Sequence, residues 1–244
     1  MSISKKYGRT YHYPFSPGTT SDDRINHQYW DDLRKIETVI HTEKLDGENT
    51  CMNGIGIFAR SHAAPTLHPW ADHLKPKFSM IQEDLRRNDI ELFGENLYAV
   101  HSILYPNLPS HFFMFGVRSL DTWLSWEEVC WYADFFEFPV VPLLDTIDMK
   151  SISCEEEYKR IVHQIISKPS VFGSIDSNSG LDCTREGIVS RNINEYSVDQ
   201  FKNNVFKYVR ANHVKTDEHW TRAWKRAPLM HEKNEQEKGN SSEL

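Results

Sequence analysis

The sequence predicts an α+β fold of mixed, mainly antiparallel sheets with flanking helices, and three observations carry the prediction. Short stretches rich in β-branched and aromatic residues recur along most of the chain, the pattern of half-buried strands. Two capping boxes, each ahead of an amphipathic run, mark helices between them. The 244 residues, 39% of them apolar, show neither an internal repeat nor a long linker, so one core is expected.

Taken in order, strands are expected over 39–43, 50–59, 90–97, 112–119, 140–144, 187–191 and 205–209. Ser125 with Glu128 caps a helix running to about 137, and Ser153 with Glu156 caps another that stops near Lys168-Pro169. From His231 the chain reads HEKNEQEKGNSSEL, polar and almost devoid of apolar residues. A single domain over 1–230, with a disordered tail over 231–244, is therefore expected.

Bulk properties exclude several classes. The net charge of −7 argues against a large, uniform nucleic-acid surface, so a phosphate-bearing partner must be held by local basic clusters. Cys51, Cys130, Cys154 and Cys183 form no CxxC pair, which points away from a zinc ribbon or a disulfide framework and towards a reducing compartment. No leader-like N-terminus and no run of 18 apolar residues is present. The expected setting is the cytoplasm, with no membrane partner.

The stretch EKLDGENT, 43–50, isolates Lys44 ahead of Asp46 and Gly47. Asp-Gly between two strand-like segments is a favoured hairpin turn, which is one reading of the tetrapeptide. Four further segments support another. FARSH carries Arg60, ELFGEN carries Glu95, REGIVSR carries Glu186 in an EGxV strand, and VFKYVR carries Lys207 and Arg210. In this order and at these spacings they resemble the motifs of the covalent nucleotidyltransferases, which include RNA ligases, DNA ligases and mRNA capping enzymes. The stretch ELFGENLYAVHSILYPNLPSHFFMFGVR, 91–118, resembles the RNA ligase branch, and YHYPFSPGTTSDD and KYVRANHVKTDEHW are similar to segments of its bacterial and phage members.

That resemblance implies an ATP-dependent RNA ligase acting in RNA repair. Lys44 attacks the α-phosphate of ATP, AMP passes to an RNA 5′-phosphate, and a 3′-hydroxyl displaces it. The attacking amine must be neutral, whereas a free lysine titrates near 10.4, so Lys44 needs positive charge beside it. Glu95 and Glu186 are hard oxygen donors suited to Mg2+ or Mn2+ and, in the family, serve the metal and the ribose. Arg60 corresponds to a phosphate contact, and Lys207 to the residue that offsets charge developing on the α-phosphate. Arg210 takes the second cationic role, although Val209 stands at the spacing where the family commonly has lysine.

Glu43, Asp46 and Gly47 complete the nucleotide site. Glycine permits a close backbone there, and Asp46 either holds its loop or accepts from the ribose. Phe113 and Phe115 share one face of their strand by the period-2 rule, and Phe115 matches the aromatic that stacks on adenine. Gly116 stands where relatives often carry aspartate. His101 and Tyr105 are candidates for phosphate or acceptor contact. SPGTTSDD, 16–23, reads as a turn-rich loop.

The RNA, bearing 5′-phosphate and 3′-hydroxyl ends, is expected to follow the basic stretch from Lys202 to Arg226, with Lys215, Arg222 and Lys225 as contacts. No OB-fold domain is expected after Trp224, and an accessory protein or an end-healing enzyme is then an expected partner. Two rivals remain open from sequence: an adenylyltransferase that does not seal, and a non-catalytic module that binds nucleic-acid ends.

Overall fold

The computed structural model describes residues 6–211 and 224–232. The chain runs through β1 (Tyr11–His12), α1 (Tyr29–Leu33), β2 (Thr38–Lys44), β3 (Glu48–Met52), β4 (Ile57–Ala59), α2 (Lys75–Arg87), β5 (Ile90–Asn96) and β6 (Ile103–Leu104). It continues through β7 (Phe112–Ser119), β8 (Thr122–Trp123), α3 (Trp126–Phe135), β9 (Leu143–Asp148), α4 (Glu155–Ile166) and β10 (Ile175–Asp176). Last come β11 (Gly187–Asn192), β12 (Tyr196–Ser197), α5 (Phe201–Asn204) and β13 (Val205–Val209).

Two sheets dominate. One has the strand order β1-β13-β11-β2-β9, the other β12-β8-β7-β5-β3-β4, and β10 pairs with β6 apart from both. All pairings between these strands are antiparallel except that of β1 with β13. Each sheet has its own apolar cluster. Leu33 of α1 and Tyr158 and Val162 of α4 pack with Val39, Ile188 and Phe206 of the first sheet. Leu85 of α2 and Val129 and Ala133 of α3 join Leu92, Phe93, Met114 and Val117 of the second. Among the described residues no helix is long and apolar enough to cross a membrane.

The strands expected over 90–97, 112–119, 187–191 and 205–209 form within a residue of those bounds. The stretch 50–59 instead splits into β3 and β4, because Asn53 Oδ1 accepts from the Ile55 and Gly56 amides at 3.0 and 3.2 Å and turns the chain. Strand β9 begins only at Leu143. Pro139 and Pro142 lack amide hydrogens, and the backbone between them ties to Met114 while Pro142 O accepts from Glu43 N at 2.8 Å.

The capping box of Ser125 and Glu128 is present in both directions. The second is not: α4 starts after Cys154, and the Ser153 amide is satisfied by Glu157 at 2.8 Å. Three glutamates in the first turn of α4 favour the positive helix end without that cap. Helix α2, which the sequence reading did not anticipate, buries only Ile81 and Leu85 of its thirteen residues, so its apolar stripe is thin. The four cysteines are free.

Strands β2 and β3 flank the Asp-Gly pair but lie in different sheets. The tetrapeptide is thus no hairpin; it is the crossing from one sheet to the other. That crossing creates the cleft.

Candidate active site

A cavity of about 500 Å3 lies between the sheets, lined by Lys44, Glu95, Glu186, Lys207, Arg60 and Phe115 among others. Strand β2 delivers Lys44 at its last residue, opposite Gly187 of β11, so Glu186 arrives beside it. Lys44 Nζ lies 2.6 Å from Glu186 Oε1. Burial works against the lysine's charge, yet the carboxylates of Glu186, Glu95 and Asp46 outweigh it and hold the amine above its ordinary range. Lys44 is thus held as an ammonium ion.

Glu95 on β5 accepts from the Gly47 amide at 3.1 Å. Burial, with Glu186 and Asp46 adding to it against the pull of Lys44, pushes its carboxyl up to about 8. Asp46 does not face open cavity with both oxygens: Oδ2 accepts from Ser102 N, Ser102 Oγ and Ile103 N, each at 2.8 Å. Of its two expected roles, the structure displays the loop-holding one. Its amide donates to the Tyr105 hydroxyl at 2.8 Å, and Tyr105 is buried, which removes that tyrosine from the candidate contacts with substrate. His101 remains on the cavity wall.

Gly47 is required by close approach rather than by an unusual φ. A Cβ there would sit 2.5 Å from Asn96 O and 2.7 Å from Leu97 Cδ2, both on the neighbouring chain segment. Glu43 also lines the cavity. Its Oε2, however, accepts from the Val171 amide at 3.1 Å and lies 3.8 Å from Arg185 Nη1. Its carboxylate therefore ties down the loop after α4.

Phe115 points into the cavity while Phe113, 1% exposed, packs against Phe172 with ring centroids 4.9 Å apart. The period-2 expectation of one shared face fails for a local reason. Between β5 and β7 the register passes from Gly94 opposite Met114 to Phe93 opposite Gly116, so Phe115 is the extra residue of a β-bulge. Arg191 of β11 holds this bulge, donating through Nη1 to Phe115 O and through Nη2 to Thr42 Oγ1 at 3.2 Å. The sequence reading missed Arg191, although it ends the same REGIVSR segment that carries Glu186. It also missed Tyr7, whose ring lies edge-on to Phe115 at 5.2 Å on the cavity wall.

Lys207 of β13 and the exposed Arg60 after β4 reach the cavity from opposite sheets. Arg210 does not join them. Its amide donates to Glu186 O at 2.9 Å, but Arg210 is not among the residues that line the cavity. Lys225 is exposed, and its carbonyl accepts from Val100 N at 2.9 Å; Lys215 and Arg222 lie outside the described residues. Of the expected tail, Glu232 ion-pairs with Arg226, and everything after it is outside the described residues.

Two mainly antiparallel sheets closing on a lysine, two glutamates and a second lysine are the architecture of a nucleotidyltransferase fold. Residues 37–209, more than two-thirds of the chain, match the RNA ligase family. The chain belongs to that family. Its fold is similar to Naegleria gruberi RNA ligase with PPi, at 18% identity and a TM-score of 0.50, over 85% of this chain and 60% of that one. A mutant of the Naegleria enzyme with ATP and Mn gives 17% identity, a TM-score of 0.50 and 84% and 60% coverage. An apo mutant gives 17%, 0.51, 84% and 59%. The chain thus spans about 60% of the length of these structures. No curated protein matches it.

Proposed function

We propose that the protein is an ATP-dependent RNA ligase whose covalent nucleotide carrier is Lys44. The observation that carries this reading is a single lysine amine, enclosed with Glu95 and Glu186 and faced by Lys207 and Arg60, in a cavity large enough for a nucleotide. The amine attacks the α-phosphorus, the bond to the bridging oxygen breaks, and pyrophosphate leaves. The AMP then moves to an RNA 5′-phosphate oxygen, and attack by a 3′-hydroxyl forms the phosphodiester and frees AMP.

The donor set fits a divalent cation. Among the described residues no group of three or more His, Cys, Asp and Glu forms a ready cage. Magnesium, however, is commonly held by one or two carboxylates together with substrate phosphates and water, and Glu95 and Glu186 supply such a pair. Mg2+ or Mn2+ there would supply positive charge that offsets the carboxylates keeping Lys44 protonated. Lys207 and Arg60 then neutralise the phosphate oxygens, and Phe115 presents its ring to adenine.

RNA is proposed to enter past His101 and Lys225, because Lys225 is tied by its backbone to Val100, the residue before His101 of the cavity wall. Lys215 and Arg222 are proposed to extend that track.

The test is to incubate the protein with Mg2+ and ATP labelled at the α-phosphate, then chase with 5′-phosphorylated nicked RNA. The expected result is one AMP on the peptide containing Lys44, transferred on the chase and followed by sealed product. Lys44→Ala and Lys44→Arg are both expected to remain unlabelled, the latter because a guanidinium stays protonated. Labelled Lys44→Ala would overturn the reading, and AMP-capped RNA as the terminal product would reduce it to adenylyl transfer without sealing.

A further inference from the structure

The loop 16–23 does more than cover the surface. It lies outside residues 37–209, the part that matches the family, yet its last residue contacts Lys207 of the cavity wall. Asp23 Oδ1 lies 3.0 Å from Lys207 Nζ and 3.0 Å from His12 Nε2. The other oxygen of Asp23 accepts from Thr20 N at 3.0 Å and Thr20 Oγ1 at 3.1 Å. His12 is 1% exposed, pairs with Lys207 in the register of β1 and β13, and has Nδ1 2.9 Å from Ser16 Oγ. Ser16 in turn accepts from Val209 N at 2.9 Å.

The loop is also locked to the sheet. Gly18 N donates to Val209 O at 2.9 Å, and a Cβ on Gly18 would run into Arg210 O. Arg24 O accepts from His12 N at 2.7 Å. Backbone and side-chain bonds together therefore set one carboxylate against one ammonium.

We propose that Asp23 is a positioning residue for Lys207, holding its ammonium at the phosphate end of the cavity from an N-terminal loop that the family match does not include. The inference rests on the reading that Lys207 faces the nucleotide phosphates. Its charge environment supports it. Burial, Lys44 and Arg60 all lower the affinity of Lys207 for its proton, and Asp23 is the group that opposes them. His12, driven to about 4 by burial and then by Lys207, stays neutral at ordinary pH and adds no competing charge. A carboxylate that merely masked Lys207 would have the opposite effect, since its removal would draw phosphate in.

The experiment measures single-turnover AMP labelling of Lys44 against pH and ATP concentration in the full chain, in the parent, Asp23→Asn, Asp23→Glu, Lys207→Ala and the Asp23→Asn/Lys207→Ala double variant. Thermal unfolding selects folded proteins. Asp23→Asn is expected to slow labelling on the order of tenfold with little change in the ATP concentration at half-maximal rate. Its alkaline limb should move to lower pH than the parent's, and Asp23→Glu should recover part of the rate. In the Lys207→Ala background the Asp23 change should have no further effect, because it acts through that lysine. Faster labelling in Asp23→Asn, an unmoved alkaline limb, or full additivity in the double variant would overturn the proposal. Parent-like labelling by Lys207→Ala would instead overturn the reading of Lys207 on which it rests. If Asp23→Asn does not fold, Asp23→Glu against Lys207→Ala decides: additive losses in their double variant would overturn the proposal.

Discussion

Lys44, the proposed nucleotide carrier, is held in its protonated form. Glu186, which touches the amine, leads the acidic neighbours that hold Lys44 above its ordinary range, so the amine is an ammonium ion rather than a nucleophile. The sequence reading expected positive neighbours to do the opposite, and Lys207 and Arg60 are indeed on the cavity wall. The carboxylates stand nearer to the outcome because one of them touches the amine directly. A buried histidine contributes to the acid response of the fold. His41 on β2 is 0% exposed, bonded to Ser190 Oγ at 2.7 Å, and burial lowers it from 6.5 to about 3. Its neutral form therefore stabilises the fold fully above 6.5, and that contribution fades as pH falls towards 3. Urea midpoints should drop between neutral pH and about pH 4. The drop should be shallower, though not absent, in His41→Gln, since His12, His62, His73 and His111 are shifted in the same direction. Equal drops in both proteins would show that His41 is not responsible.

At the scale of elements, β7 performs two tasks because of its bulge. Phe113 and Phe115 are both buried, but only Phe115, two residues along the strand, also borders the cavity. Phe115→Ala should weaken ATP binding by roughly 1–3 kcal/mol, the range for a ring stacked on a base, with a smaller loss of stability than Phe113→Ala because its ring borders the cavity. Phe113→Ala should leave the affinity of the folded fraction nearly unchanged and cost roughly 3–5 kcal/mol of stability by opening a cavity against Phe172. Calorimetric titration with ATP alongside denaturant unfolding separates the two. Exchanged phenotypes would mean that the strand is read in the wrong register.

The whole molecule is acidic, yet the residues proposed to meet RNA are basic and gathered at one end of the sequence. ATP and RNA would therefore use separate parts of the surface: nucleotide between the sheets, and RNA beyond His101 along Lys225. Reversing Lys215, Arg222 and Lys225 together to glutamate should leave Lys44 labelling nearly intact while sealing falls sharply. The log-log salt dependence of RNA binding should flatten by roughly one unit for each RNA phosphate that is no longer neutralised. A triple variant that seals as fast as the parent at low and moderate salt would place the RNA elsewhere.

What the sequence determined by itself was chemistry in order: a lysine, two glutamates and a second lysine, on or beside segments whose β-branched and aromatic residues mark them as strands. The capping box at Ser125 was equally legible, since both partners lie within one helical turn. The tertiary structure alone decided which of these groups meet. A turn signal at Asp46-Gly47 cannot say whether the strands beside it pair or part, because pairing is chosen by distant strands; here β11 takes β2 and β5 takes β3. One extra residue in β7 re-aims Phe115, and a loop that reads only as turns brings Asp23 to Lys207. Arg210, beside the right strand, is not among the residues that line the cavity. Local patterns are set by neighbours three or four residues away, whereas a site is set by register, bulges and crossings between sheets, and those depend on packing summed over the entire chain.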